Sequence, residues 1–300
     1  MSQIRITDPG VVTSTGDRVR AYIELTKPRI IELLLITTVP AMVVAAQGWP
    51  GLGLVLATLV GGTLSAAGAN TLNQVLDRDI DRLMRRTAGR PLPTDRVEPG
   101  RALAFGVTLG LGGFLWLWAT TNLLAGILST VGLLFYVLIY TMWLKRTSVQ
   151  NIVIGGAAGA VPPLVGWVAV TGSLALPAWI MFAVIFYWTP PHFWTLSLRY
   201  RDDYAAAGVP MLPVVVGVAA TLEHIVRYSL LVSGVSLMLY AVGVVGVVYL
   251  IVAAALGVAL VMAAFRLRRR PAEAMRFFGW TNLYLAGVFL AMAADVLLSR

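Results

Sequence analysis

Apolar stretches long enough to cross a bilayer recur along the whole of this chain. That pattern constrains the fold more than any motif, because a lipid-exposed backbone must satisfy its own hydrogen bonds within helices or a closed barrel. A helix needs about 20 apolar residues to cross about 30 Å of hydrocarbon. Nine such runs are present, at roughly 30–47, 51–72, 102–119, 123–143, 151–170, 175–196, 226–242, 244–265 and 279–298. Residues 225–265 are nearly continuous apolar sequence, about twice the length of one span. A tight turn at Gly243 or Gly246 divides them into two. With 58% hydrophobic residues and a mean hydropathy of +0.81, the chain is too apolar for an ordinary soluble domain. The predicted architecture is all-α, with a short tail over 1–22 and one transmembrane bundle of nine helices over 23–300.

Charge tests the count. Only 12% of the residues are charged, and they cluster. Nine spans place the N-terminal tail and the connections near 73–101, 144–150, 197–225 and 266–278 on one side of the membrane. Every Lys and Arg except Arg300 falls on that side, with Arg227 just inside the seventh span. An excess of Lys and Arg marks cytoplasmic loops, so the N-terminus is expected in the cytoplasm and the C-terminus opposite. The net charge of +9 then reflects topology and anionic headgroups, and no nucleic-acid partner is expected. No secretory leader is expected either, because the first apolar stretch is already of spanning length. The absence of cysteine excludes disulfides and thiolate metal sites.

The run NQVLDRDIDRLMRRTAGRPLP, from Asn73 to Pro93, sets three carboxylates and five arginines at the end of the second span. Asn73, Asp77 and Asp81 recur at i, i+4 and i+8, so on a helix they share one face. Asp77 and Asp81 would then sit roughly 6 Å apart along the axis. Two hard oxygen ligands at that separation suit a partly hydrated Mg²⁺ that also holds substrate phosphates. Diphosphate keeps negative charge that Mg²⁺ neutralises only in part, so a site for it also needs guanidinium groups such as those through Arg90. The competing explanation is a solvated helix end, with Arg78, Arg82, Arg85 and Arg86 as ion-pair partners of the acids. Asp79 and Arg78 face away from the shared stripe and belong to that explanation. Acids at a membrane edge are costly, which favours a functional role for the others.

The pattern N-x-x-x-D-x-x-I-D-x-x-M-x-R-T-x-x-R resembles the signature of the UbiA-type intramembrane prenyltransferases. Asn73, Asp77, Ile80, Asp81, Met84, Arg86, Thr87 and Arg90 carry it. That family usually continues R-P-L-x-x-G, whereas Asp95 stands here where the glycine is expected. KPRIIELLLITT at 27–38, YTMWLKRTSVQNIVIGGAAGAVPPLVGW at 140–167 and YWTPPHFWTLSLRYRDDYAAAGVPMLPVV at 187–215 narrow the resemblance to its protohaem IX farnesyltransferase branch. Beyond 215 the likeness is one of hydropathy. The resemblance implies a helical bundle around a central cavity open towards the cytoplasmic side of a bacterial inner membrane. It implies Mg²⁺-dependent transfer of a farnesyl group from farnesyl diphosphate to a vinyl group of haem B, with addition of water, giving haem O and diphosphate. Haem B is then a substrate and Mg²⁺ the cofactor. The bilayer delivers both lipophilic substrates, and a haem A synthase or terminal oxidase assembly is the implied partner.

Under this resemblance Asn73, Asp77 and Asp81 form a first acidic motif, with Asp77 and Asp81 as metal ligands. Asp203, beside Asp202 and Tyr204 after the sixth span, supplies a second acidic site and a third metal ligand, although a full D-x-x-x-D is missing there. A solvated turn is the alternative for this cluster. Arg86, Arg90, Lys145, Arg146 and Arg199 are the candidate diphosphate-binding residues. For Lys145 and Arg146, positive-inside topology alone is an equal explanation. Pro190 and Pro191 should break or kink the sixth span and free backbone groups inside the bundle. His192 beside them is either a ligand to substrate haem iron or a side chain bonded to a freed carbonyl.

Several residues remain outside these motifs. His224, beside Glu223 and Arg227, reads as interfacial. Glu32 either pairs with Lys27 or Arg29 or lines the cavity. Gly155, Gly156 and Gly159 suggest close helix packing of the G-x-x-x-G kind. Tyr187, Trp188, Phe193 and Trp194 either flank a porphyrin or join an interfacial belt. Asp295 has no partner that the sequence identifies. Two other functions compete: prenyl transfer to an aromatic quinone precursor, and transport. A transporter should show paired interruptions in two halves of the chain, and here the polar cluster is unpaired and one-sided.

Overall fold

The computed structural model describes residues 14–299, apart from the side chains of 29–35. Expectations for residues 1–13, for the Glu32 side chain and for Arg300 lie outside the described residues. Helix follows helix, and no strand occurs among the described residues.

Helix α1 (Thr15–Thr26) begins at Ser14, whose Oγ accepts from the Asp17 amide at 3.1 Å and satisfies an otherwise orphaned N–H. Lys27, in the left-handed region at φ 53°, ends α1, and Pro28 opens α2 (Pro28–Ala46). Proline suits a first helical turn, where its missing N–H is not needed. The expected tail over 1–22 is therefore helical from Thr15 onward. Ala21 and Leu25 of α1 bury against Leu92, Val97 and Ala102. The side-chain amides of Asn70 and Gln74 donate to the carbonyls of Thr26 and Leu25 at 2.9 and 2.8 Å, serving acceptors that the end of α1 leaves free.

The chain continues through α3 (Leu52–Leu76), α4 (Arg78–Leu83), α5 (Pro99–Thr120), α6 (Leu123–Thr147), α7 (Asn151–Thr171) and α8 (Leu176–Arg199). Two short helices follow, α9 (Arg201–Ala206) and α10 (Leu212–Val215). Then come α11 (Gly217–Ala241), α12 (Val247–Arg269) and α13 (Ala274–Leu298). Among the described residues, seven helices are long and apolar enough to cross a membrane: α3, α5, α6, α7, α11, α12 and α13 with the turn before it. The two other expected spans lie on α2 and on α8, which carries Thr189, Pro190, Pro191 and His192. Leu111, Ile251, Met262 and Leu290 are each about 60% exposed on the outer faces, where hydrocarbon rather than water suits them. The chain is an integral membrane protein.

Small residues set the helix spacing. A Cβ on Gly68 would lie 2.8 Å from the Gly106 carbonyl oxygen, and one on Gly113 would lie 2.8 Å from the Ser65 nitrogen, so α3 and α5 meet backbone to backbone. The G-x-x-x-G expected at 155–159 works differently. Gly155 makes room for the Tyr140 ring and Gly156 faces Thr189, while nothing lies within 4 Å of a Cβ on Gly159. Helix α2 packs on the second half of α7 and on α13, so the first and last long helices close the bundle. Helix α8 packs against both α11 and α13 and runs unbroken through Pro190 and Pro191. The Pro191 carbonyl accepts from Thr195 Oγ1 at 2.6 Å.

Both glycines anticipated near 243 form the turn from α11 to α12. Gly243 is left-handed at φ 74°, and Gly246 is the residue from which α12 departs. Asp295 finds its partners here, accepting from the amides of Gly246 and Tyr249 and so capping α12 from another helix.

Candidate active site

Helix α3 stops at Leu76, Asp77 occupies a bend at φ −89° and ψ 3°, and α4 starts at Arg78. The single helix expected from Asn73 to Asp81 is thus two. The shared face survives, because the Asp77 amide still donates to the Asn73 carbonyl at 2.9 Å and the Asp81 amide to the Asp77 carbonyl at 2.8 Å. Asn73, Asp77 and Asp81 are 3%, 0% and 2% exposed, so these three do not form a solvated helix end. Asp79 faces outward as expected, with 62% of its side chain exposed.

Asp77 lies at the centre of a polar chain. Its Oδ2 accepts from Lys145 Nζ and, at 2.7 Å, from Asn73 Nδ2, which also donates to Thr141 Oγ1 at 3.0 Å. Lys27 Nζ donates to Asn73 Oδ1 at 2.7 Å, which fixes the orientation of the Asn73 amide, since an ammonium can only donate. Burial, with the nearby Arg90 charge adding to it, holds the Lys27 ammonium well below its usual pKa. Between Phe135 and Leu144, α6 widens into a π-helical segment, and Thr141 Oγ1 there donates to the Tyr136 carbonyl at 2.8 Å. Such widened turns often occur at functional sites. The segment also stacks Tyr136 on Tyr140 at 5.4 Å between centroids, two residues that sequence reasoning passed over in its run of aromatics.

Arg146, expected at diphosphate, forks onto Asp79 with two bonds of 2.8 Å and donates to the Leu76 carbonyl at 2.8 Å. It braces the end of α6 against the α3–α4 bend. The fork lowers the Asp79 carboxyl to about 2. Its stabilisation is therefore present above pH 3.8 and fades only as pH falls towards 2, and solvent screening keeps it small. Arg90 Nη1 donates to Asp81 Oδ2 at 2.7 Å. Arg85, not singled out as a site residue, reaches from the first motif to Asp203 Oδ1 at 3.0 Å and links it to α9. Arg86 lies exposed over the Tyr200 ring at 5.7 Å. Arg199 is exposed at the end of α8 and has no ion pair among the described residues. A cleft of about 190 Å³ opens beside the bend, lined by Asp79, Ile80, Leu83, Arg146 and residues 207–209.

Among the described residues, no three His, Cys, Asp or Glu side chains lie close enough together to hold a metal ion. Asp77, Asp81 and Asp203 are therefore not assembled as the three-carboxylate centre expected of them. Each is paired with a cation instead. The donors still fit Mg²⁺: they are hard oxygens, and Asp77 Oδ1 is buried without a hydrogen-bond partner. Mg²⁺ is commonly held by one or two carboxylates together with water and substrate phosphates.

His192 lies away from this cluster, stacked between Trp188 and Phe278 at 4.2 Å on each side. Its partner is Thr281 Oγ1 at 2.8 Å from Nδ1, not a freed carbonyl. Thr281 gives its own proton to the Phe278 carbonyl at 2.7 Å, so it accepts from His192, and the lone pair is assigned to Nε2. Trp194 meets His224 and Tyr228 edge-on, and Glu223 pairs with Arg268 at 2.7 Å. Asp95 is left-handed at φ 56°, a conformation natural to the glycine expected there, and pairs with Arg82 at 3.1 Å.

Residues 34–291 match the UbiA prenyltransferase family. A protoheme IX farnesyltransferase of Symbiobacterium thermophilum is 56% identical over 94% of this chain and 96% of its own length. One of Gloeobacter violaceus is 52% identical over 91% of each, and one of Nocardia farcinica 49% identical over 98% and 96%. Among solved structures, a digeranylgeranylglyceryl phosphate synthase superposes with a TM-score of 0.77 at 20% identity, over 93% of this chain and 99% of that one. A UbiA homolog from Archaeoglobus fulgidus bound to DMAPP and Mg²⁺ superposes at 0.68 and 16% identity, over 90% and 98%. These two share the fold. The chain belongs to the UbiA prenyltransferase family and is an enzyme of its protoheme IX farnesyltransferase branch.

Proposed function

We propose that the chain transfers a farnesyl group from farnesyl diphosphate to a vinyl group of haem B and adds water, giving haem O and diphosphate. Near full-length identity to relatives named for farnesyl transfer to protoheme IX carries this reading. The bond from farnesyl C1 to the diphosphate oxygen breaks, and C1 bonds to the terminal vinyl carbon. Water then adds its oxygen to the inner vinyl carbon and gives up a proton. Asp77 and Asp81 would hold Mg²⁺, and Asp203 would be the further carboxylate ligand to the metal–diphosphate group. When bound, the metal supplies positive charge to the diphosphate oxygens as the allylic bond breaks. Arg90, Lys145, Arg86 and Arg199 hold the leaving diphosphate, and Asn73 keeps Asp77 oriented. The spanning helices exclude bulk water from the allylic cation. In this reading all nine long helices cross the membrane, the cavity opens at the charged end, and that end faces the cytoplasm.

His192 is the ligand to haem iron in this reading. Its Nδ1–H is engaged by Thr281, which leaves Nε2 as the ligating nitrogen, the usual arrangement when a second partner orients the ring. Haem O released into the bilayer reaches a haem A synthase or terminal oxidase assembly. The test is an assay of purified protein in detergent with haem B, farnesyl diphosphate and Mg²⁺, followed by mass spectrometry of the extracted haem. A gain matching farnesyl plus water is the expected result. No haem product, with activity on an aromatic quinone precursor instead, would overturn the haem assignment and keep the diphosphate site.

A further inference from the structure

Asp77, Asp81, Asp203 and Asp79 are each paired with a cation. Asp77 is held by Lys145, Asp81 by Arg90 at 2.7 Å, Asp203 by Arg85 at 3.0 Å and Asp79 by Arg146 at 2.8 Å. Three of these carboxylates are almost wholly buried, with side chains 0%, 3% and 7% exposed for Asp77, Asp81 and Asp203. These four pairs leave no net charge. A divalent cation entering alone would add two uncompensated positive charges next to an ammonium and two guanidinium groups. Like charges in a buried site are poorly screened, so that arrangement is unfavourable. A divalent cation entering with a diphosphate trianion leaves a single negative charge. The diphosphate oxygens also give Lys145, Arg90 and Arg85 new acceptors when they let go of the carboxylates.

We infer that Lys145, Arg90 and Arg85 are displaceable internal counter-ions, which close Asp77, Asp81 and Asp203 to a bare divalent cation and release them to a metal–diphosphate pair. The inference rests on the diphosphate–metal reading of this site given above. Metal and diphosphate then bind as one unit, and each raises the affinity of the other by the same factor. Asp77 Oδ1, buried without a hydrogen-bond partner and 3.9 Å from Arg146 Nη2, is the oxygen a metal meets before the shorter Lys145 contact breaks. No covalent bond changes in the exchange.

The test measures Mn²⁺ bound to the full chain in detergent by equilibrium dialysis, at matched free Mn²⁺, with and without inorganic diphosphate. The wild-type chain should bind Mn²⁺ at least about tenfold more tightly when diphosphate is present, a difference of about 1.4 kcal/mol. Lys145→Met should bind Mn²⁺ alone more tightly than wild type and gain less from diphosphate. Arg85→Gln, at a position whose side chain is 87% exposed, should show the same trend more weakly and serves if Lys145→Met fails to fold. Less than about twofold enhancement in wild type, or no gain in metal-alone affinity in the folded variants, overturns the counter-ion role while leaving the metal site standing. No Mn²⁺ bound in either condition overturns the site reading, and the inference with it.

Discussion

One carboxylate oxygen of Asp77 is held by Lys145 and Asn73, while the other is buried without a hydrogen-bond partner. Asp77→Asn keeps the volume and removes the charge, so the fold should persist and the electrostatic contribution should vanish. Turnover is expected to fall by about 10² to 10³, the cost of losing one preorganised charge-stabilising group, with the protein still inserted in the membrane. Near-wild-type turnover in that variant would remove Asp77 from the metal role. Under the proposed haem ligation, His192→Ala should shift the visible absorption of haem bound to the protein through loss of an axial imidazole. An unchanged spectrum with full turnover would reduce His192 to a packing residue between Trp188 and Phe278. The spacing of Asn73, Asp77 and Asp81 was legible in the sequence because i,i+4 neighbours share a face whatever surrounds them. The partners of these residues were not, since Lys145 is 68 positions from Asp77 and Arg85 is 118 from Asp203. Such pairings depend on which helix ends the bundle brings together. The departure at Asp95 was visible as an amino acid, and only the backbone explains it: the site is left-handed, which Asp tolerates better than most non-glycine residues.

At the scale of the element, the bend between α3 and α4 is held in place from both ends. At the charged end, Arg146 ties Asp79 and the Leu76 carbonyl to α6. Further along α3, Gly68 lies against α5, where a methyl group would meet the backbone of Gly106 and Gly110 rather than a side chain that could yield. Gly68→Ala should therefore push α3 from α5 and cost about 1–3 kcal/mol, the usual range for overpacking. Gly112→Ala on α5 has open space around it and is the matched control. Thermal unfolding in detergent should separate the two, and equal midpoints would mean that the α3–α5 contact is more compliant than its geometry. Turnover should fall with Gly68→Ala as well, because α3 carries Asn73 to the site. Glycine spacing alone did not reveal this seam. Gly155 and Gly159 match a packing motif as well as Gly61, Gly68 or Gly106 do, yet Gly155 admits a tyrosine ring and Gly159 meets nothing. The turn at Gly243 and Gly246 was readable because no single helix could use so long an apolar run. Its cap was not, because Asp295 comes from a helix 49 residues on from Gly246.

Across the whole molecule, the described Lys and Arg residues and the site share one end of the bundle, and the positive-inside rule predicts that this end faces the cytoplasm. The assignment decides where diphosphate is drawn from and released, since a polyanion does not cross hydrocarbon on its own. The absence of native cysteine makes the orientation directly measurable, because a single introduced thiol is the only one in the protein. Thr147, exposed at the end of α6 beside Lys145 and Arg146, marks the charged end, and Ser173, exposed in the turn from α7 to α8, marks the other. A membrane-impermeant maleimide added to intact cells should label Ser173→Cys and leave Thr147→Cys unmodified until the membrane is broken. Both positions are exposed, one at a helix end and one in a turn, so each substitution should leave the bundle intact. The reverse pattern would place the acidic cluster on the far face and require diphosphate to be supplied from outside the cell. Labelling of both variants in intact cells would mean that α7 does not separate two compartments, which would remove the basis for counting nine spans.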